Sequence, residues 1–522
     1  MDQERGEVFH PSVEEILPAP LAIGDGVTAS SVVTSSQRST YFTAGNATPQ
    51  SDLGNKSMTF RLAGNSFADL GSASLQFGVL FGNNDWVPSD IFGVSCIDRV
   101  TVTVAGVEVS SETGVGMARK GLLYHQVSPS YANSAMGQAE GHYRYASSDS
   151  IYVTAANGAA PAIQAVDATP GNRQVLGSIR GSGAVQYTNK SMHGDLSDPT
   201  ECKYYSVGLH YIAGLFTHDK LFPLFAAPIE ITITLAGIRD CCTFAGTGGG
   251  INGGDTVVTL PDITDPIPAD SYYKLLEPVI RMDTKTLDPM YTRAISSLIN
   301  ESETGLLLAF DHLSVITANP ALPTAGSEHV ILISKSASNV KAVYTLFQSQ
   351  TQLATPTSSK DDYIGGGIVS SATLFAGSTQ VPSTPLNNIA AMCDSLYGAF
   401  NGAGNQFAGG LASGYAYRCE DRQGVTVGVR TNDYGSYSEL TRPHSAFALG
   451  WSLERLPGVS ATHLAGFSTK SSGFQLQARV HFKAPNALTG DVRNNARALR
   501  VTSVVNSTVG IELRKGSLRV IR

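Results

Sequence analysis

Ile229-Glu-Ile-Thr-Ile-Thr-Leu235 places an aliphatic side chain at every second position, with Glu or Thr between. Successive side chains of a β-strand point to opposite faces. The stretch therefore predicts a strand that buries its Ile and Leu side chains and turns Glu230, Thr232 and Thr234 outward. One buried face and one polar face are typical of an antiparallel sheet packed on a core.

The same two-residue period recurs along the chain. It is found in four further apolar sets: Leu75, Phe77, Val79 and Phe81; Val100, Val102 and Val104; Phe447, Leu449, Trp451 and Leu453; and Phe474, Leu476, Ala478, Val480 and Phe482. Hairpins are predicted through Ala105-Gly106 and Lys515-Gly516, since glycine readily adopts the positive φ of a tight turn. The chain is thus predicted to be mostly β.

A length of 522 residues exceeds the roughly 250–300 residues that one hydrophobic core serves. The clearest composition shift is the Gly/Pro-rich stretch 241–268, where we place a domain boundary. We predict an extended N-terminal arm over 1–45, a first β domain over 46–245, a linker over 246–270, a second β domain over 271–490, and a basic C-terminal segment with a terminal hairpin over 491–522. Two helices are predicted, one capped by Asp288 and one along Leu386–Phe400.

Charge limits the functions that the chain can serve. Only 15% of its residues are charged, against about 25% in an average soluble domain. Large subunit contacts or a Ser/Thr/Gly-rich β surface would each explain that figure. The net charge of −7 argues against a protein whose main work is coating nucleic acid.

The C-terminal segment 491–522 is basic, unlike the chain as a whole. It has seven basic residues: Arg493, Arg497, Arg500, Arg514, Lys515, Arg519 and Arg522. This segment could face nucleic acid, an anionic membrane or an acidic neighbour, or be a soluble edge hairpin.

The sequence shows no constellation typical of an enzyme, and we expect no catalytic, cofactor-binding or metal-ligating residues. It lacks a Gly-x-Ser-x-Gly elbow, and its glycine run has no Gly-Lys-Ser/Thr. The cysteines are dispersed, and adjacent Cys241 and Cys242 are expected to be small buried residues. His210 and His218 are expected to face solvent or a core. Asp361-Asp362 is interpreted as a solvated loop, with a divalent cation at a subunit junction as the alternative.

Several segments, in this order, resemble the double jelly-roll major capsid proteins of the adenovirus and tectivirus lineage, most of all those of polinton-like viruses and virophages. They are Phe60–Leu70, Lys220–Leu224 with Ile229–Leu235, Tyr273–Tyr291, Ser338–Val343, Phe447–Glu454 and Ala465–Thr469. The long stretches 142–199 and 351–384 have no counterpart in this resemblance. We expect them to be outer loops.

The resemblance implies an all-β fold: two tandem jelly-roll β-sandwich domains with short helices in the inter-strand excursions. It also implies a structural subunit of a virion, made in the host cell, that forms homotrimers and tiles an icosahedral shell around double-stranded DNA. Neighbouring capsomers, penton and minor capsid proteins would be its partners, and the basic C-terminal segment would contact the genome or an internal membrane. The arm before Ala44 is expected to become ordered only on reaching a neighbour or the layer beneath the shell, because its apolar content is low.

Two other classes of protein would share the β-rich, glycine-rich composition. A secreted β-sandwich adhesin or carbohydrate-binding protein should carry an export signal, whereas Met1–Glu15 has five acidic residues and no apolar stretch. A polysaccharide-degrading hydrolase would need paired carboxylates facing a groove. Trp86 and Trp451 are the only tryptophans, so an aromatic sugar platform is not indicated.

Overall fold

The computed structural model describes most of the chain. The described residues are 32–45, 48–52, 55–82, 86–89, 91–127, 131, 135–142, 151–155, 161–165, 203–218, 220–244, 271–301, 305–320, 327–354, 369–402, 447–453, 466–470, 475–482, 499–514 and 517–521. Most of the predicted outer loop 142–199 falls outside these ranges, as does the arm before Val32. The other predicted outer loop, 351–384, was wrong over residues 369–384, which belong to the strands Val369–Ala376 and Thr379–Leu386 of the second jelly roll.

Strands make up most of the described chain. In the first half they are β1 (Val33–Phe42), β2 (Ser57–Leu62), β3 (Phe67–Phe81), β4 (Trp86–Pro88), β5 (Ile97–Val104), β6 (Val107–Thr113), β7 (Ile151–Ala155), β8 (Pro161–Ala165), β9 (Lys203–Gly208), β10 (Phe222–Pro223), β11 (Ile229–Leu235), β12 (Cys242–Phe244) and β13 (Tyr273–Leu287). In the second half they are β14 (Leu306–Ala318), β15 (Ser327–Ile333), β16 (Val340–Ser349), β17 (Val369–Ala376), β18 (Thr379–Leu386), β19 (Ala448–Ser452), β20 (Leu476–Phe482), β21 (Leu499–Arg514) and β22 (Ser517–Ile521).

Helices are short and lie between strands. They are α1 (Phe92–Ser95), α2 (Val115–Gln126), α3 (Ala135–Glu140), α4 (Ile238–Cys241), α5 (Pro289–Asn300), α6 (Gln350–Ala354) and α7 (Ile389–Gly402), with 3-10 turns at Leu209–Tyr211 and Gly214–Thr217. In the described part of the chain, no helix is long and apolar enough to cross a membrane.

The first half of the chain forms two packed antiparallel sheets. One has the order β1-β13-β3-β10, with β9 also paired to β3, and the other has the order β2-β11-β5-β6. Alternate residues of β11 are buried, as its sequence predicts, and Ile231 lies between Phe60 and Val102 of its neighbours. The two small pairs β4–β12 and β7–β8 lie outside this sandwich.

The second half repeats this arrangement. Its sheets have the orders β14-β21-β16-β19 and β15-β20-β17-β18, and β22 extends the first by pairing with the end of β21. Apart from the two-residue β10 and the terminal β22, each half has eight strands in these two sheets. In both halves the eighth of these strands lies between the first and the third, and the second pairs with the seventh. Two eight-stranded sandwiches with one strand order are two jelly rolls, so the predicted all-β class and tandem jelly-roll domains are confirmed.

The strand pairing moves the predicted domain boundaries. β13 pairs with β1 and β3, so it is the last strand of the first jelly roll although the sequence placed 271–490 in the second. The Gly/Pro-rich stretch thus precedes a strand of the first domain. Likewise, Val33–Phe42 of the predicted arm is the first strand, and Leu499–Arg514 of the predicted basic segment is the last strand of the second jelly roll. These boundaries were wrong because composition marks long loops as readily as it marks linkers.

Local predictions were more accurate. The hairpin between β5 and β6 turns at Ala105-Gly106, both with positive φ, and the terminal hairpin pairs Arg514 with Ser517. α5 begins after Asp288, whose side chain accepts a hydrogen bond from the Met290 N–H at 2.9 Å. The second predicted helix starts later than expected, since Leu386 closes β18 and the helix begins at Ile389.

A glycine in α2 fixes how that helix packs in the first jelly roll. A Cβ atom at Gly116 would overlap the carbonyl oxygens of Val94 and Ile97, whereas a Cβ at Gly398 in α7 would meet nothing within 4 Å.

We predict that Gly116→Ala lowers the free energy of unfolding by about 1–3 kcal/mol, the usual cost of overpacking. Gly398→Ala should instead be neutral or stabilising by up to about 1 kcal/mol, because alanine favours helices. Denaturant unfolding of both variants checks this. Equal stability of the two would show that α2 is not seated as described.

Candidate functional site: the junction of the jelly rolls

The two jelly rolls meet along a seam that we call the junction. β6 is the edge strand of one sheet of the first jelly roll, and β14 is the edge strand of a sheet of the second. Edge strands present backbone groups that lack a partner strand. At the junction a side chain of β6 takes the place of a partner strand for one backbone group of β14. The backbone N–H of Val315 on β14 donates to Glu112 Oε2 on β6 at 3.1 Å.

Glu112 also binds two cationic side chains of the second jelly roll. Its Oε1 accepts a hydrogen bond from His312 Nε2 at 2.9 Å and lies 3.5 Å from Lys335 Nζ. The side chains of Glu112 and His312 are only 15% and 8% exposed. One carboxylate from the first domain is thus held by three groups of the second, and charge-assisted bonds in a shielded site are the strong kind.

The environment of Glu112 favours its ionised form. Burial opposes ionisation, but the hydrogen bond from His312 and the charges of His312 and Lys335 outweigh it, so the pKa of the Glu112 carboxyl is lowered from its ordinary value. A carboxyl whose pKa is lowered by folding contributes stability above its unfolded pKa of about 4.3. That contribution is lost as pH falls through the lower, folded-state pKa.

Apolar packing joins the domains beside this polar cluster. The ring of His125, on α2, stacks on Phe400 of α7 with ring centres 6.3 Å apart, and Phe400 stacks on Tyr344 of β16 at 4.8 Å. Tyr344 OH donates to the carbonyl of Ala399 at 3.1 Å. Leu346, Leu396 and Val504 of the second jelly roll belong to the same buried core as the first. The two domains therefore share a core.

The turn Gly214–Thr217 makes a third contact. A Cβ at Gly214 would overlap the carbonyl oxygen of Asp311 on β14, so the backbones touch. His218, just after the turn, donates from Nδ1 to the carbonyl of Ala309 at 3.1 Å. Backbone contact without intervening side chains leaves little room for one jelly roll to slide on the other.

A cavity of about 90 Å³ adjoins the polar cluster. It is lined by Glu108, Glu112, His312 and Lys335, together with serine side chains of β6 and β21. Across the ranges that the structure describes, no three His, Cys, Asp or Glu side chains are placed to hold a metal ion. The cavity therefore offers polar lining without a metal-binding set.

The structure brings three of the cysteines considered in the sequence together, because Cys241 Sγ lies 3.8 Å from Cys242 Sγ and Cys96 is close enough to interact electrostatically with both. Cys96, Cys241 and Cys242 are buried thiols of the first jelly roll, and burial raises the pKa of Cys96 and Cys242 well above the ordinary value. A protonated thiol is a poor nucleophile. His210 is largely buried, and burial together with the charge of Arg119 lowers its pKa to about 4. Cys202, Cys419 and Asp361-Asp362 fall outside the described residues.

Nothing in the sequence indicated the junction cluster. Glu112 is 200 residues from His312, and no motif surrounds either. Only the topology brings them together: strand five of one sandwich lies beside strand one of the next.

The fold and the junction define a double jelly-roll protein. No family model matches the chain, and no curated protein matches it. Among solved structures, it is similar to VP54 of the virus PBCV-1, in a crystal structure fitted into a reconstruction of the virophage Sputnik. The TM-score is 0.50, with 9% identity, over 95% of this chain and 98% of that one. It also aligns with the mavirus major capsid protein, with a TM-score of 0.47 and 11% identity, over 94% of this chain and 91% of that one.

We predict that Glu112→Gln lowers the free energy of unfolding at pH 7 by about 2 kcal/mol, the value of a hydrogen bond to a charged group. The loss should shrink as pH falls below the unfolded pKa of about 4.3 and through the lowered pKa of the folded state, because the wild-type carboxyl then becomes protonated as well. Denaturant unfolding at pH 7 and at a series of lower pH values measures it.

The matched control is Glu108→Gln, on the same strand and lining the same cavity but exposed. Its effect should stay within about 0.5 kcal/mol. A Glu112→Gln protein as stable as the control at pH 7 would mean that the cluster does not hold the domains together.

Proposed function

We propose that the chain is the major capsid protein of an icosahedral double-stranded DNA virus, located in the virion and assembled in the host cell. One observation carries the proposal: a single chain holds two jelly rolls of the same strand order, locked side by side through a common core. The likeness to VP54 of PBCV-1, which covers nearly the whole of both chains, supports it. The role is structural rather than catalytic.

Two similar jelly rolls in one rigid subunit are well suited to building a capsid shell. We call the outer side of each jelly roll a wall. Placing the first jelly roll of one chain against the second of the next gives a heterologous contact, which closes into a ring when repeated three times. Three chains then present six walls, a shape that tiles a surface with few types of contact. Obligate interfaces of this sort bury more than about 2,000 Å² and are apolar, in keeping with the low charged fraction.

Further partners follow from the same proposal. Neighbouring trimers, penton and minor capsid proteins would cover the remaining walls. The basic C-terminal segment would approach the genome or an internal membrane, because the terminal hairpin carries Arg514, Lys515, Arg519 and Arg522 against Glu512 alone. Such contacts are electrostatic and weaken with salt.

We predict that the purified chain is a homotrimer, with a native mass three times 54.9 kDa. Native mass spectrometry measures this directly. A monodisperse monomer at every concentration tested, or one that binds glycans or cleaves a polysaccharide, would contradict the proposal and favour the adhesin or the hydrolase.

We also predict that replacing Arg514, Lys515, Arg519 and Arg522 with Gln weakens binding to double-stranded DNA or to anionic vesicles at low salt, and that added salt abolishes the difference. The control replaces four exposed arginines elsewhere, Arg61, Arg239, Arg281 and Arg293, with Gln. Equal binding by the two variants would leave the hairpin with only the role of a soluble sheet edge.

A further inference from the structure

The first strands of the two jelly rolls hold the same place in the fold but have different surroundings. β1 and β14 are both edge strands, and each pairs with the last strand of its sandwich. β14 lies against the first jelly roll at the junction, and only two of its thirteen residues, Leu307 and Thr317, are exposed. None of the ten residues of β1 is buried, and seven of them are exposed. The strand that the junction covers in the second jelly roll is therefore open in the first.

The outer face of the sheet beside β1 carries apolar side chains across its strands. Phe42 on β1 is 73% exposed and Tyr204 on β9 is 58% exposed. Between them lie Leu276 and Val279 of β13, both partly buried, with Val279 opposite Phe42. The Tyr204 ring lies over Gly78 of β3, since a Cβ at Gly78 would be 3.2 Å from Tyr204 Cε1. We call Phe42, Tyr204, Leu276 and Val279 the apolar strip. Exposed aromatic side chains of this kind are enriched at protein–protein interfaces.

The equivalent face of the second jelly roll shows what such a surface receives. Val315, Val504 and Tyr344 form one row across β14, β21 and β16, and they belong to or pack against the core shared with the first jelly roll. Their neighbours along the strands, Val343 and Val505, belong to a separate core inside the second sandwich. The row therefore lies on the outer face of its sheet, and the first jelly roll covers it.

The second jelly roll has an edge that corresponds to the one used at the junction. β18 is the edge strand of the sheet β15-β20-β17-β18, as β6 is of the sheet β2-β11-β5-β6. Seven of its eight residues are at least partly exposed. Pro382 and Pro385 lack the N–H groups that would extend a sheet, so β18 would make its contact through side chains, as β6 does through Glu112.

A single chain cannot bring these two edges together. The bridge between Thr43 and Phe60 places the end of β1 beside β2, at the edge of the first sandwich opposite to β6. The junction joins β6 to β14, and it leaves β1 and β18 as the outermost edges of the pair. Because the two jelly rolls are locked at the junction, β18 can reach a β1 strand only in another copy of the chain.

We propose that β1 and the apolar strip receive the second jelly roll of another copy, with β18 in the place that β6 holds against β14. Phe42 and Tyr204 lie at the centre of this contact. The inference rests on the proposed trimer and names the surface on which it closes, because a ring of three copies repeats one heterologous contact three times.

Hydroxyl-radical footprinting of the wild-type trimer tests which surface is covered. The oxidation rate of each side chain is compared with its rate in the unfolded chain. Phe42 and Tyr204 should be oxidised at least about fivefold more slowly, because the centre of an interface excludes water. Leu332 on β15, which is 53% exposed and lies outside the proposed contact, should stay within about twofold of its unfolded rate.

A pair of variants tests whether the apolar strip holds the copies together. Phe42→Asp with Tyr204→Asp should raise the concentration at which half of the trimer dissociates by at least about tenfold, because it places carboxylates in an apolar contact. The matched control, Val330→Asp with Leu332→Asp, makes the same charge change at exposed apolar residues of β15 and should change that concentration by less than about twofold. Native mass spectrometry over a dilution series measures both, and unfolding midpoints establish that each variant folds.

The outcomes separate this surface from the trimer itself. A wild-type monomer would overturn the trimer and the surface with it, and the mass shows this before any variant is made. A wild-type trimer in which both rings are oxidised at nearly their unfolded rates would overturn the surface alone, as would equal trimer stability in the variant and the control. Protection of both rings in a monomeric chain would also overturn the proposal, because the chain would then cover the strip itself.

Discussion

Each jelly roll depends on inserting its last strand between its first and third. β13 reaches its place between β1 and β3 about 245 residues after β1, and β21 does the same in the second half. Until that strand arrives, the first strand has no neighbour in its sheet. The chain must close long loops before these contacts form, and pairing of this kind is slow to fold. Each sheet is thus held together by strand pairs that lie far apart in the sequence.

The repeated insertion also explains how the domains join. α5 follows β13 directly, so the end of the first jelly roll leads at once into β14 of the second. Because this connection is short, the two sandwiches pack against each other. The stacked rings of His125, Phe400 and Tyr344 and the hydrogen bonds of Glu112 hold them together at the junction.

Sequence reasoning identified strands well and their partners poorly. The alternation in Ile229–Leu235 and the turn at Ala105-Gly106 are local features, and both proved accurate. The partner of β13 is not a local feature, and a glycine-rich stretch before it suggested a domain boundary that the sheet crosses. Glu112 could not be predicted at all, since nothing in its own strand indicates that a histidine 200 residues later will lie 2.9 Å away. Burial of α2 was missed for the same reason.

The central feature of this protein is a pair of similar jelly rolls that share one core, and the capsid role that we propose depends on that pair being rigid. Electron cryomicroscopy of the purified chain under assembling conditions tests this most directly. We predict towers of six walls around a threefold axis, with both jelly rolls of each chain fixed relative to each other. Particles in which the two domains take variable orientations, or rings with another number of walls, would contradict it.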